Sequence, residues 1–367
     1  MKYKAFKFAC LLTITLSVIF GCSSTSQSGA VFRGDLKNTG VYQTEPVADS
    51  VKIKWRFQSG SWVRSSPALF NSILYFGDEK GHFYAVDIQS GELKWQYNTN
   101  GEVGASVSIS DNTVYFGSGD KNLYALDALT GAEKWKFQAE GGIASSPAVS
   151  GGVVYFGSMD GFFYAIDSKT AEKKWRFRTS DGISASAAIA DGVIYVGSWD
   201  GNMYAIRRKN GAENWKFETQ NWIISSPAVF KNIVLFGGLD GFFYALDAKT
   251  GSELWRFETR DQIVSSPAVY EGTVYFGSKD GHLYALDVLT GTEKWRFIVN
   301  EPIDSSPAVA GGVVYFGDVN GRLYAIDALT GIENWRFDTG GRIFGAPLID
   351  QGVIYIGSRD GFMYALD

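Results

Sequence analysis

From Val51 onward, apolar and polar positions follow one pattern that repeats every forty residues. Tryptophan recurs at Trp55, Trp95, Trp135, Trp175, Trp215, Trp255, Trp295 and Trp335, with no insertion between copies. Inside one unit, Ile143 to Phe177, four short runs stand out: S-S-P-A-V, V-V-Y-F-G, F-F-Y-A-I-D and E-K-K-W-R-F. They are rich in aromatic and β-branched residues and read as strands A to D. The connections are G-G, S-x-D-G and D-x-x-T-G, residues that tolerate positive φ and close tight turns. Four strands per forty residues, repeated radially, make a blade of a β-propeller.

The ends of the repeat set the blade number. Strand A starts at Ser65, Ala105, Ser145, Ala185, Ser225, Ser265, Ser305 and Gly345, which gives eight copies. The last copy stops at Asp367, before its Trp strand, and an unmatched Trp strand, Val51 to Phe57, stands at the other end. The fold expected is therefore all-β: an eight-bladed propeller of four-stranded antiparallel blades over 51–367, with the N-terminal strand completing the last blade and leaving no open edge. A solenoid would need atypical polar caps, which the first and last copies lack. Pro67, Pro147, Pro227, Pro267, Pro307 and Pro347 fall in strand A, and proline belongs on an edge strand such as the innermost one. The eight Trp read as packing between blades, each stabilising by roughly 2–3 kcal/mol.

Ahead of the repeats, Lys2, Lys4 and Lys7 precede an apolar run from Phe8 to Phe20. Thirteen residues are too few to span a bilayer, which takes roughly 20, but they suit a secretory signal. The run ends in Gly21-Cys22, which resembles a bacterial lipobox. Residues 1–21 are then a signal peptide, Cys22 carries lipid, and 22–50 form a polar tether and lead-in. Removing three Lys and no acid moves the net charge from −5 to −8. Such a chain lacks the concentrated Lys and Arg that nucleic acid requires. Two His and two Cys leave almost no material for a zinc site or an iron–sulfur cluster and exclude a disulfide framework. His82 and His282 lie five blades apart in the same phase and are read as surface residues. The protein is expected in the cell envelope, facing the periplasm from the outer membrane where one exists.

Positions common to all blades specify the fold, and positions that vary are free to carry function. The D–A connection and the B–C turn lie at one end of every blade. There Met159, Trp199, Trp222 and Leu239, from blades three to five, are expected to form a contiguous apolar arc, the composition of a partner surface. The opposite arc is charged, with Arg64, Glu79, Lys279, Arg342 and Arg359. Trp62 and Trp222 are four blades apart and should face each other across the channel mouth. Asp127, Asp167, Asp247, Asp287 and Asp327, and Asp160, Asp200, Asp240, Asp280 and Asp360, repeat in turns and are read as bonding turn amides rather than as catalytic acids.

The stretch Ala125-Leu-Asp-Ala-Leu-Thr-Gly-Ala-Glu-Lys-Trp135 resembles the tryptophan-docking motif of the pyrroloquinoline-quinone-type propeller family, and the match recurs along 51–367. Phe32-Arg33-Gly34-Asp35 with Asn38-Thr39-Gly40 resembles the family's lead-in. The resemblance implies an eight-bladed propeller and spans quinoprotein dehydrogenases and BamB-type outer-membrane assembly lipoproteins. The dehydrogenases carry insertions, an adjacent Cys pair and a carboxylate set for calcium, and this chain has minimal blades and no Cys pair. The resemblance therefore points to a non-catalytic, monomeric lipoprotein scaffold without cofactor or metal that docks envelope proteins, and the variation between blades makes Trp62, Met159, Trp199, Trp222, Leu239, Arg342 and Arg359 the candidate docking residues. Two alternatives differ in class: a quinone-dependent dehydrogenase relative, and a sensor binding an envelope glycan or peptide at Trp62 and Trp222.

Overall fold

The computed structural model describes residues 30, 32–47 and 50–367. The signal peptide, Cys22 and the polar tether lie outside the described residues. The inner strands of blades 1 to 8 are Ala68–Phe70, Ser108–Ser110, Ala148–Ser150, Ala188–Ala190, Ala228–Phe230, Ala268–Tyr270, Ala308–Ala310 and Leu348–Asp350. Each opens a four-stranded antiparallel meander running outward from the axis. In blade 1 the remaining strands are Ile73–Gly77, His82–Asp87 and Leu93–Asn98, and the others follow forty residues apart. Blade 8 is completed by Ile53–Gln58, which pairs antiparallel with Phe362–Leu366 and sets Trp55 opposite Ala365. The ring is thus closed by joining the two ends of the repeat region, as its phase requires.

The inner strand is shorter than the Ser-Ser-Pro-Ala-Val segment suggests. It begins only at the residue after proline, because proline has no N–H to give the second strand and the serine before it turns its N–H sideways. The N–H of Ser66 donates to Ser106 Oγ, that of Ser106 to Ser146 Oγ, and the relay continues through Ser186, Ser226 and Ser266 to Ser306. Ala346 N–H donates back to Ser66 Oγ at 2.8 Å. A belt of hydroxyls therefore stitches the blades around the axis. Its one gap lies between blades 7 and 8, where position 346 is alanine.

The repeated Trp docks each outer strand on its neighbour. Trp95 Nε1 donates to the Ala128 carbonyl, and the same bond, thirty-three residues long, runs from Trp55, Trp135, Trp175, Trp215, Trp255 and Trp295. The glycine of each T-G turn lies flat on that indole. Gly131 has φ +72°, and a Cβ there would stand 2.7 Å from the Trp95 ring. Ala171 occupies the equivalent place in blade 4's neighbour with φ +60°. The turn aspartates accept amide N–H groups as expected, Asp127 from Leu129 and Thr130, and Asp160 from Phe162 and from Glu140 in the preceding connection.

Residues 32–47, which the sequence leaves unplaced, form a plug together with Ala30. It crosses the channel on the face that carries the A–B and C–D turns. Carbonyls of Ala30, Leu36, Lys37, Thr39 and Gly40 accept N–H bonds from the inner strands of blades 2, 4, 5, 6 and 7, at Ile109, Ile189, Val229, Val269 and Val309. Val41–Tyr42 then adds a parallel strand to blade 7. Arg33, only 3% exposed, donates through Nη2 to the carbonyls of Pro267 and Pro307 at 2.6 and 2.9 Å. Asn38 Nδ2 donates to the Pro227 carbonyl. The inner-strand prolines lack N–H groups but keep carbonyls, and the plug uses three of them.

Candidate functional site

The opposite face carries the residues that vary between blades. There the N–H of each B–C residue donates to the carbonyl of the D–A residue seventeen before it, as in Leu239 to Trp222 and Arg359 to Arg342. This fixes both positions on one ring, and their side chains meet across the blade boundaries.

On one arc, Trp222 of blade 5 stacks on Trp199 of blade 4, with ring centroids 4.6 Å apart and planes 12° from parallel. Trp199 is half-buried and its Nε1 donates to Ser184 Oγ at 2.8 Å. Trp222 is the outer plate and is 44% exposed. Trp199 N–H donates to the Gly182 carbonyl, and a Cβ on Gly182 would lie 2.8 Å from Met159 Cε. Met159 lies beside Gly182, Trp199 and Trp222 stack, and Leu239 is tied to Trp222 through its backbone, with Met159 and Leu239 half-buried. Trp199 is stacked against Trp222 and hydrogen-bonded to Ser184, and Trp222 is the more exposed of the two plates.

Across the mouth, Arg359 is clamped between two rings. Its guanidinium carbon stands 4.5 Å from the centroid of Trp62 and 4.5 Å from that of Phe344. Arg64 lies 5.1 Å from Phe344 on its other approach. Both arginines reach Glu79, Arg64 at 3.5 Å and Arg359 at 3.3 Å. Arg342 is exposed beside them. Trp62, 47% exposed, is thus a cation–π partner here rather than a free plate facing Trp222, although blades 1 and 5 are opposite in the ring.

Two residues of this mouth escape the comparison of D–A and B–C positions. Phe344 and Asp304 sit two residues after the D–A position, one step nearer the axis, where the other blades have Arg64, Gly104, Ala144, Ser184, Ile224 and Val264. Comparing that register across blades would have found them. Asp304 Oδ1 is buried without a hydrogen-bond partner. Burial pushes its carboxyl above the usual range, against the pull of Lys279, Arg342, Arg64 and Arg359. The histidines, read from the sequence as surface residues, are half-buried and tied to turn aspartates, His82 Nδ1 at 2.8 Å from Asp78 Oδ2 and His282 Nδ1 at 3.1 Å from Asp280 Oδ1. Among the described residues no three His, Cys, Asp or Glu side chains gather as a metal-binding set. A second apolar surface was not anticipated: on the plug face, the C–D turns expose Leu289, Leu329 and Ile332, with Leu329 86% exposed.

The fold and the docked-tryptophan repeat define a class, the PQQ-like-repeat propellers, and comparison with known proteins agrees. A family model described as the beta-propeller of the beta-alanine-activating enzyme matches residues 102–287. One described as outer membrane protein assembly factor BamB matches residues 41–110 and 290–367. The first of these models covers just over half of the chain, which therefore belongs to that family of β-propellers. No curated protein matches the sequence. BamB from Moraxella catarrhalis is 19% identical, with a TM-score of 0.76 over 87% of this chain and the whole of that one. The quinohemoprotein alcohol dehydrogenase from Comamonas testosteroni is 17% identical, with a TM-score of 0.79 over 92% of this chain and 80% of that one. The computationally designed Ika8 protein is 22% identical, with a TM-score of 0.76 over 84% of this chain and 96% of that one. At these identities the likeness is one of fold.

Proposed function

We propose that this protein is a non-catalytic envelope lipoprotein that docks a partner protein on the face carrying the D–A connections and B–C turns, in the assembly of outer-membrane proteins. The observation that carries the reading is the Trp199–Trp222 stack with Met159 and Leu239 at its flanks, an exposed apolar strip opposite an arginine-rich arc. Tryptophan and arginine are the residues enriched in interaction hot spots, and strip and arc together offer a partner both an apolar and a basic contact. Arg342 and Arg359, with Trp62, form the basic side of that surface.

The anchor supports the same orientation. Ala30 sits on the plug face, and seven residues lie between it and Cys22, eight chain steps in all. A fully extended chain of that length reaches at most about 29 Å. Lipid on Cys22 holds the plug face, with Leu289, Leu329 and Ile332, toward the membrane and turns the tryptophan face to the periplasm. The test is affinity capture of the lipidated protein from gently solubilised envelopes, beside a Trp199→Ala/Trp222→Ala variant. Envelope-assembly proteins held by the wild type and lost by the variant support the reading. Equal capture by both moves the docking site off this strip.

A further inference from the structure

The plug face carries a pattern that neither the fold nor the partner surface uses. Two residues into each C–D turn, the chain reads Leu129 in blade 2, then Lys169, Lys209 and Lys249 in blades 3 to 5, then Leu289 and Leu329 in blades 6 and 7. All six are exposed. The blades repeat without insertion, so these turns stand at one height around the ring. They present a flat annulus, basic along one arc and apolar along the next.

The basic arc is strongest in blade 4. Its turn opens with Arg207 where the other C–D turns have aspartate, so Arg207, Arg208 and Lys209 stand together with no acid among them. Arg207 Nη2 donates to Asn214 Oδ1 and Arg208 Nη1 to Ser150 Oγ, both neutral partners. Lys231 extends the arc through the A–B turn of blade 5, and Lys37 of the plug joins it there, its carbonyl accepting from Val229 N–H. Among the described residues none of these cations, nor Lys169 or Lys249, makes a salt bridge, whereas Lys94, Lys134, Lys174 and Lys294 are each paired with a turn aspartate. The acids in the same turns are fewer. Asp167 is taken by Lys174, Asp247 accepts the Lys249 and Thr250 amides, and Glu172 and Asp191 are exposed. The apolar arc follows directly, with Leu289, Leu329 and Ile332 at 61, 86 and 66% exposure. Single exposed leucines are ordinary. Three large aliphatic side chains on adjacent turns, flanked by unpaired cations, have the composition of a membrane-surface contact.

We infer that this annulus binds an anionic bilayer surface directly, with lipid phosphates on the basic turns and Leu289, Leu329 and Ile332 in the outer acyl region. The inference rests on the anchored orientation proposed above and adds a second attachment to it. Three features favour a bilayer over an acidic protein. The annulus is flat, its two arcs match headgroup and acyl chemistry, and Ala30, the described residue nearest Cys22, lies on this same face. Anionic headgroups attract Lys and Arg only within a Debye length, about 10 Å at 0.1 M salt. The basic turns come that close together only when the face lies flat, so they also set the tilt of the propeller.

The test places a solvatochromic dye on Leu329→Cys, or on Gln220→Cys of the opposite face, in the lipidated full chain. Vesicles are phosphatidylcholine alone or phosphatidylcholine mixed with phosphatidylglycerol. On mixed vesicles the dye at 329 shifts to the blue and is quenched by chain-brominated lipid. On phosphatidylcholine it shifts less, and about 0.5 M salt, where the Debye length is about 4 Å, brings the mixed-vesicle signal down to that level. The dye at 220 stays in water throughout. Lys169→Glu/Lys209→Glu/Lys249→Glu changes only exposed side chains, so its melting temperature holds while the extra shift on mixed vesicles is lost. Co-sedimentation of the wild type with phosphatidylcholine vesicles reads the anchor separately. A missing lipid shows there, and the dye still reports the annulus on mixed vesicles. The inference is overturned by a dye at 329 that stays in water on mixed vesicles, by a shift unchanged in the lysine variant, or by equal shifts at 329 and 220. The first of these results leaves the face to an acidic protein.

Discussion

Replacing Ala171 by glycine should make this protein more stable, although the change removes a methyl group from a packed turn. The C–D turns place Gly91, Gly131, Gly211, Gly251, Gly291 and Gly331 at φ between +70° and +75°, each against the indole of the preceding blade. Ala171 takes the same turn at φ +60° and, like Trp135, packs at the edge of the core between blades 2 and 3. A left-handed conformation costs a residue with a Cβ about 1–2 kcal/mol. Glycine returns roughly 0.4–1 kcal/mol of that by loosening the unfolded chain. The net gain is of order 0.5–1 kcal/mol. Urea unfolding of the full chain and of Ala171→Gly reads it as a raised midpoint with parallel slopes. Gly131→Ala is the mirror experiment. It imposes the same backbone cost and also drives a Cβ to 2.7 Å from Trp95, so its midpoint should fall by more than Ala171→Gly raises it. A midpoint for Ala171→Gly at or below wild type would refute the reasoning and show that the methyl's packing at that edge outweighs the backbone strain.

Three further predictions concern the ring, the plug and the turns. Ala346→Ser supplies the missing hydroxyl opposite Ser306 N–H and closes the belt, and thermal melting should show a gain of about 0.5–1.5 kcal/mol. Arg33→Met strips the Pro267 and Pro307 carbonyls of their donors, each worth about 1–3 kcal/mol when left buried and bare. Limited proteolysis within 32–47 should accelerate more than tenfold, while the propeller's melting temperature hardly moves. Acid should act through the C–D turns. Lys94 and the Ser90 amide hold Asp87 down to about 2, and Lys174 with the Lys169 amide holds Asp167 below the usual range. A depressed folded pKa gives stability that is present above the unfolded value near 3.9 and lost as pH falls through the folded one. Unfolding monitored by tryptophan fluorescence should therefore sharpen between about pH 4 and pH 2, and Asp167→Asn should flatten that dependence.

What could be read from the chain and what could not divide along one line. The period of forty, the in-phase Trp and the unmatched strand at Val51–Phe57 specify blades, count and closure, because each follows from local patterns repeated without slippage. The short inner strand was misjudged because Ser-Ser-Pro looks extended, while its serine N–H groups bond the next blade forty residues away. The plug was illegible because it is held by single residues such as Arg33 and Asn38 against prolines more than 180 residues distant. At the candidate site, comparison of repeats found Trp199, Trp222 and Arg359 but not what they touch. The Trp199–Trp222 stack and the Trp62–Arg359–Phe344 clamp arise between adjacent blades, and a scan that compares one register at a time keeps such partners apart. Leu329 and Ile332 were overlooked because they flank the recurrent T-G turn and were absorbed into the fold signature.

The central claim is that partners bind the tryptophan face and that the plug face is turned to the membrane. Photo-crosslinking from the lipidated protein in intact envelopes tests it most directly, with the reactive side chain placed at Met159, at Leu239 or at Leu329. The account predicts a discrete protein adduct from 159 and 239 and none from 329, where lipid is the neighbour. Protein adducts from 329 alone would contradict it and place the partner on the C–D turn face.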